Sequence, residues 1–374
     1  MKNPITQKME EGVASGVFPG GVLLVSYKDK VCFHNAFGFA QLTPTKIPLT
    51  MNTLFDLASL TKPLATATAM TLLIESGNLK LDNPVSKFIP EYKTGEKNKV
   101  TLAHLLSHSA GLPDWKPYFK EIARQDKKES GFLCSPEASQ KVYQMANNEP
   151  LINWPGTHSL YSDIGFMILG EIIEKVTCES LDEFCKNNIF LKLNCKKTFF
   201  SAMGQKITGR VAATEDCPWR GKMIRGKVHD DNAYAMGGVA GHAGLFSTAK
   251  EVFVLVTNWI DSINGNGFIE SGLAKRFITR RSVPKTGSFA LGWDTPSLQS
   301  SSSGQFFSRN SFGHLGYTGT SIWVDRVKEL VVILLTNRVH PTRKNNQIKA
   351  FRPELHNLIY REVVGGSSPL KRGD

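Results

Sequence analysis

Ser59 and Lys62 stand three residues apart in the segment Asp56-Leu57-Ala58-Ser59-Leu60-Thr61-Lys62-Pro63. If that segment opens a helix, both side chains share one face and their polar ends come within hydrogen-bonding reach. A serine hydroxyl is a poor nucleophile until a base takes its proton. A lysine can do so only where desolvation or neighbouring positive charge lowers its pKa. At a helix N-terminus the Ser59 amide would also point to where an oxyanion develops. The same spacing describes a helix cap followed by a surface lysine, so the pair alone decides nothing.

Two further groups follow in chain order. Tyr161-Ser162-Asp163 comes after the turn Trp154-Pro155-Gly156 and just before a helical run, which leaves Tyr161 at a loop-to-helix junction where a phenol or phenolate could relay a proton. A tyrosine taken singly more often packs its ring in the core. His314-Leu315-Gly316 stands directly before the strand-like run Thr320 to Asp325; there Gly316 would let a substrate lie close to the backbone and the Tyr317 amide would give a second oxyanion donor. Lys93-Thr94-Gly95 and Lys285-Thr286-Gly287 are decoys for this third element: the first precedes Tyr161 and the second lacks a strand after it.

Together these elements resemble the Ser-x-x-Lys, Tyr-x-Asn and Lys-Thr-Gly or His-x-Gly motifs of class C β-lactamases, DD-peptidases (penicillin-binding proteins) and related esterases. Leu54 to Met70, Leu81 to Pro90, Thr101 to Trp115, Tyr161 to Val176 and Gly313 to Pro341 also look like this family, so the resemblance covers nearly the whole chain. It implies a serine hydrolase forming an acyl-enzyme, with catalytic Ser59, Lys62, Tyr161 and His314, oxyanion donors at the Ser59 and Tyr317 amides, and substrate contacts at Asp163, Gly316 and Thr318. It also implies a cleft between an α/β domain and a helical domain, with His229, Asp230 and His242 shaping the pocket.

Two departures bear on substrate. Asp163 replaces an asparagine, so it offers an acceptor and a charge instead of an amide donor, and pairing with Lys62 would raise the lysine pKa. His314 replaces a lysine and is mostly uncharged near neutral pH, which weakens the hold on a substrate carboxylate. Arg338, Arg343 and Lys344 are candidates to compensate. Both departures favour an esterase or a peptidase acting on D-amino-acid substrates over a β-lactamase. A non-catalytic member that binds cell-wall fragments is the alternative from another class, and the joint presence of Ser59, Lys62 and Tyr161 speaks against it.

These residues need a frame. Gly20 to Tyr27 and Lys30 to Phe39 read as a hairpin turning at Lys28-Asp29, and Thr320 to Asp325 with Glu329 to Asn337 as a second pair of strands. Helical spacing marks the N-terminus and Asn346 to Val364. Between the ends lie helical runs at Lys62 to Ser76, Thr101 to Ser107, Ser135 to Asn147, Ser162 to Val176, Leu181 to Asn188 and Ala249 to Ser262, with Gly77 and Thr248 as end signals. The expected fold is α/β (α+β): an antiparallel sheet with helices from both termini, formed by residues 1–77 and 286–374, and a mainly helical insertion at 78–285.

The 374 residues are 41% hydrophobic and 21% charged, enough for a substantial core. The formal net charge of +12 could attract anionic polymers, but the basic clusters, among them Lys192/Lys196/Lys197, Arg276/Arg280/Arg281/Lys285 and Lys371/Arg372, lack interleaved aromatics and any nucleic-acid motif. The partner expected is a small-molecule or peptide substrate, cell-wall fragments included. Six cysteines without CxxC spacing read as reduced thiols, and the polar N-terminus as lacking an export signal, which together point to the cytoplasm unless a leader has been removed. Gly237 to Gly244 is glycine-rich without a GK[ST] ending, so it reads as a turn flooring the cleft. His104 and His108, four apart, lack a third ligand; no metal and no cofactor is implied.

Overall fold

The computed structural model describes residues 3–205, 207, 209–284 and 287–365. Its strands are β1 (Gly20–Tyr27), β2 (Lys30–Gln41), β3 (Ile47–Pro48), β4 (Phe55–Asp56), β5 (Phe199–Phe200), β6 (Ala213–Cys217), β7 (Lys222–Arg225), β8 (Leu245–Ser247), β9 (Phe312–Leu315), β10 (Ser321–Asp325) and β11 (Leu330–Thr336). Six of them form an antiparallel sheet in the order β3-β2-β1-β11-β10-β9, so strands from the two ends of the chain meet at its centre, with Gly21 opposite Thr336. The β1–β2 turn falls at Lys28 and Asp29, whose φ angles of 49° and 60° suit the tight hairpin turn that matches strand twist.

The helices are α1 (Pro4–Ala14), α2 (Thr68–Glu75), α3 (Leu102–Leu106), α4 (Tyr118–Asp126), α5 (Pro136–Asn148), α6 (Asp163–Thr177), α7 (Leu181–Cys185), α8 (Asp231–Ala235), α9 (Ala249–Ile263), α10 (Ser271–Ile278) and α11 (Ile348–Val363). Side chains alternate across β1. Leu23 and Val25 join Met9 of α1 and Phe351 and Leu355 of α11 in one core, while Val22 and Leu24 join Leu64, Met70, Val256 and Trp259 in a larger one on the opposite face. Helix α9 lies within the span 78–285 expected to form a separate helical insertion, yet it packs against β1 and β11. Its stripe Val252, Leu255, Val256 and Trp259 covers the sheet face that α1 and α11 leave open. Thr248 caps α9 by accepting from the Glu251 amide, as its sequence position suggests.

His314 sits on β9, an edge strand that directly precedes β10, opposite Ile322. Residues 316–320 form the turn between them. Lys285 and Thr286 of the second decoy, and Lys371 and Arg372, fall outside the described residues. No helix among the described residues is long and apolar enough to cross a membrane, and none of the six cysteines is in a disulfide.

Candidate active site

The nucleophile candidate is presented by a strained turn. Asp56, buried at the end of β4, accepts the Ala58 amide at 2.8 Å through Oδ1 and the His229 amide at 2.6 Å through Oδ2. Ala58 takes a φ of 47°, a left-handed conformation rare for a residue with a side chain, and so turns the chain sharply just before Ser59. The loop 316–320 braces this turn. Thr318 Oγ1 donates to Asp56 O at 2.8 Å and Thr320 Oγ1 to Leu57 O at 3.0 Å. A methyl at Gly316 would collide with Thr320 Oγ1 and the Leu57 carbonyl. The roles expected from sequence for these residues therefore change: Thr318 is buried with its hydroxyl engaged by the main chain, and glycine is needed at 316 for loop-to-turn packing.

Residues 58–60 form one 3₁₀ turn, and Lys62–Ala67 continues as a π-helical turn before α2. Lys62 is fully buried. Its Nζ donates to Ser59 Oγ at 2.9 Å, Asp163 Oδ1 at 2.6 Å and His242 O at 3.1 Å. The last contact comes from the glycine-rich segment, which floors the cleft: Thr66 Oγ1 donates to Gly241 O at 2.6 Å, and a methyl at Gly241 would strike the Phe166 carbonyl. Burial acts to lower the Lys62 pKa, but Asp163 and then Tyr161 outweigh it, so the ammonium titrates above its ordinary value.

Asp163 opens α6, and Ser162 caps it by accepting from the Gly165 amide at 3.3 Å while donating to Pro113 O at 2.6 Å. Tyr161 precedes the cap. Its phenol interacts with both Lys62 and Ser59, and its ring centre is 4.9 Å from Lys62 Nζ. Burial raises the phenol pKa despite the opposing pull of Lys62, so Tyr161 is a neutral phenol at rest.

A histidine not assigned from sequence holds this junction. His108, at a φ of 54°, accepts the Ser162 amide on Nδ1 at 3.0 Å and the Leu160 amide on its carbonyl at 2.9 Å. Its ring packs 4.5 Å from that of Tyr161. The signal available in sequence was the stretch Ser107-His108-Ser109-Ala110-Gly111, where a turn residue with an acceptor ring precedes a glycine. His104 does something else: its Nδ1 accepts the Thr101 amide, completing the cap of α3.

His314 is 3% exposed and its ring centre lies 6.0 Å from that of Tyr161. Nδ1 pairs with the Leu315 carbonyl at 2.9 Å, and the buried Nε2 has no partner among the described residues. Burial, then the charge on Lys62, push the imidazole down to about 3. A fixed positive charge is therefore absent from this position at neutral pH. Neither the Ser59 nor the Tyr317 amide has an intramolecular acceptor among the described residues, so both can donate to an oxyanion.

Ser59, Tyr161, Asp163 and Tyr317 line a cavity of about 430 Å³ whose acidic side carries Asp114, Asp230 and Asp231; Lys62 and His314 lie behind this lining. His229, His242 and Arg343 also line it, with Ala58, Trp115 and Ala243. His242 Nε2 pairs with Asp230 Oδ1 at 2.9 Å. Burial would raise the Asp230 pKa, but His242 and the Ala233 amide hold it well below the usual carboxylate range. The cations that might take a substrate carboxylate are committed. Arg343 binds Glu215 at 2.6 Å and Asp231 at 3.2 Å, and Arg338 is turned under the Tyr317 loop. Lys344 does not line this cavity.

The sequence matches the Beta-lactamase family over residues 5–355. It is 34% identical over 365 residues to a putative D-alanyl-D-alanine carboxypeptidase of Salmonella agona, covering 88% of this chain and 81% of the relative, and equally so to that of Salmonella typhimurium. In structure it is similar to the octameric penicillin-binding protein homologue from Pyrococcus abyssi, with a TM-score of 0.72 at 21% identity over 98% of this chain and 78% of that one. It is also similar to EstCE1, a hydrolase with promiscuous acyltransferase activity, with a TM-score of 0.71 at 20% identity over 93% and 97% of the two chains. With the whole-length match and the close relatives in agreement, the chain belongs to the beta-lactamase family and is a serine hydrolase.

Proposed function

We propose that Ser59 cleaves an ester or amide through an acyl-enzyme, with Tyr161 carrying the proton and Lys62 acting as a fixed cation. The observation that carries this reading is the 2.9 Å contact from Lys62 Nζ to Ser59 Oγ, with Asp163 on the same ammonium at 2.6 Å. A lysine kept charged cannot remove a proton, but it stabilises negative charge growing on the serine oxygen. As Ser59 Oγ bonds to the carbonyl carbon, its proton passes to the Tyr161 oxygen and the phenol proton passes to the leaving oxygen or nitrogen. Tyr161 thus ends neutral, as it began. Water reverses the relay: as its oxygen bonds to the acyl carbon, one of its protons passes to the Tyr161 oxygen while the phenol proton passes to Ser59 Oγ, and its second proton stays on the released acid. The Ser59 and Tyr317 amides take the oxyanion in both steps.

His314 is neutral, Arg343 is paired with Glu215 and Asp231, and Arg338 is engaged by main-chain carbonyls, which favours substrates whose leaving group carries no carboxylate beside the scissile bond. That supports ester or neutral amide cleavage over carboxypeptidase action or β-lactam hydrolysis, although the Salmonella relatives are named for the carboxypeptidase reaction. The test is a fluorophosphonate probe read by intact mass, with turnover of short p-nitrophenyl esters, nitrocefin and D-Ala-D-Ala peptides. Labelling of wild type with none of Ser59→Ala is expected, and equal labelling of both would remove Ser59 from the mechanism.

A further inference from the structure

Two arginine side chains that the reaction above does not use are buried beneath the loop 316–320. Arg338 is 5% exposed and Arg352, on α11, is 4% exposed. Arg338 Nε donates to Tyr317 O at 2.8 Å, joined by Nη2, and Nη1 donates to the Asn345 carbonyl at 2.6 Å and the Arg343 carbonyl at 3.1 Å. Its guanidinium carbon lies 4.5 Å from the Tyr317 ring centre. Arg352 Nη2 reaches Gly319 O at 3.4 Å, and its buried Nε has no partner among the described residues. Among the described residues neither guanidinium forms an ion pair with a carboxylate. Burial, with Arg338 adding repulsion, pulls Arg352 down to about 10, which still leaves it charged at neutral pH.

Burying a cation without a counter-ion costs stability, and well-packed apolar residues usually replace such a group at a gain. Here two such cations take carbonyls of one short loop. That loop carries the Tyr317 N–H, which has no acceptor, and its Thr318 and Thr320 hydroxyls hold the turn that presents Ser59. At the neighbouring strand His314 is neutral, so the site's own lining supplies no free cation to an oxyanion.

We propose that Arg338 and Arg352 are positioning residues that sustain a positive field behind the oxyanion site: they fix the loop 316–320 through its carbonyls and favour negative charge as it grows at the Ser59 and Tyr317 amides. The inference rests on the acyl-enzyme reading above. Arg352 isolates the electrostatic part, because its one long contact does little to hold geometry. Arg338 combines charge with a two-pronged grip on Tyr317 O.

The experiment measures ester turnover, melting temperature and the affinity of a phenylboronic acid, which forms a tetrahedral anion on a reactive serine, in wild type, R352M, R352Q and R352K. R352M and R352Q are expected to lower kcat roughly 10- to 100-fold, less than the loss of a direct oxyanion donor costs, and to weaken the boronic acid by the same factor with KM within about twofold. Their melting temperatures should equal or exceed that of wild type, and R352K should stay within about threefold in turnover. R352Q covers the case in which R352M is not recovered folded. The proposal is overturned if both neutral variants keep turnover and boronic acid affinity within about twofold, or if R352K loses as much as they do. A wild type in which Ser59 takes neither fluorophosphonate nor boronic acid would instead overturn the acyl-enzyme reading, and this inference with it.

Discussion

Asp163 Oδ1 lies 2.6 Å from Lys62 Nζ, nearer than the 2.9 Å that separates the same ammonium from Ser59 Oγ. The carboxylate therefore sets the charge state of the lysine, and the serine meets an ammonium. In Asp163→Asn that counter-charge is gone while burial remains, so the Lys62 pKa falls. The rate of Ser59 labelling by a fluorophosphonate should show no alkaline fall below the ordinary lysine range in wild type, since Lys62 is raised above its ordinary value. The fall should move down by at least about one pH unit in Asp163→Asn.

On the proposed relay through Tyr161, Tyr161→Phe should lower kcat on p-nitrophenyl acetate by about 10² to 10⁴ with a small change in KM. Ser59→Ala should abolish the burst altogether. A Tyr161→Phe enzyme within about threefold of wild type would return the proton to Lys62.

Charge selection should follow from the neutral His314 imidazole, the pairing of Arg343 with Glu215 and Asp231, and the carbonyls that engage Arg338. A matched pair of esters differing by one carboxylate next to the scissile bond should favour the neutral one by about tenfold or more in kcat/KM, equivalent to roughly 1.4 kcal/mol or more. His314→Lys should narrow that ratio. An unchanged ratio in that variant would place carboxylate recognition elsewhere in the cleft.

Much of this arrangement was legible in sequence because it is local. The spacing of Ser59 and Lys62 sets their contact within one turn, and Tyr161 and Asp163 flank a helix cap, so their convergence follows from one junction. The strands β1, β2, β10 and β11 were legible from apolar runs broken by short turns. What escaped were contacts made by direction. Nothing in Gly316-Tyr317-Thr318 tells that the threonine hydroxyl turns inward to Asp56 O, or that the glycine is needed to pass the Leu57 carbonyl. His108 reaches Ser162 across 54 residues only because its own backbone is left-handed. Helices α4, α8 and α10 went unread, and α8 holds only five residues, too short for periodicity to register.

The inward hydroxyl of Thr318 makes a separate prediction. Thr318→Val leaves the Asp56 carbonyl without that donor and should cost about 1 kcal/mol in urea unfolding, with KM for small esters unchanged. Gly316→Ala should be far worse, displacing the loop and costing both stability and turnover.

Stability should also fall in mild acid. Burial pushes His314 and His356 each down to about 3. Between that value and about 6.5 the unfolded chain binds protons that the folded chain refuses, so stability rises with pH across this window and is lost as pH drops. By pH 4.5 each site contributes a loss of roughly 2 to 3 kcal/mol. Melting temperatures from pH 7.5 to 4.5 should show this slope, and His356→Leu should flatten it by about one site.

The pairing of β1 with β11 joins residue 21 to residue 336. During synthesis the nucleophile turn and its lysine therefore leave the ribosome some 270 residues before the strands that carry the second amide donor and its supporting arginine. The central sheet cannot close until the last strands arrive, and a connection of such length makes that closure slow. An incomplete chain holds Ser59 without the Tyr317 amide, so on the proposed mechanism hydrolytic competence appears only when β11 has paired with β1.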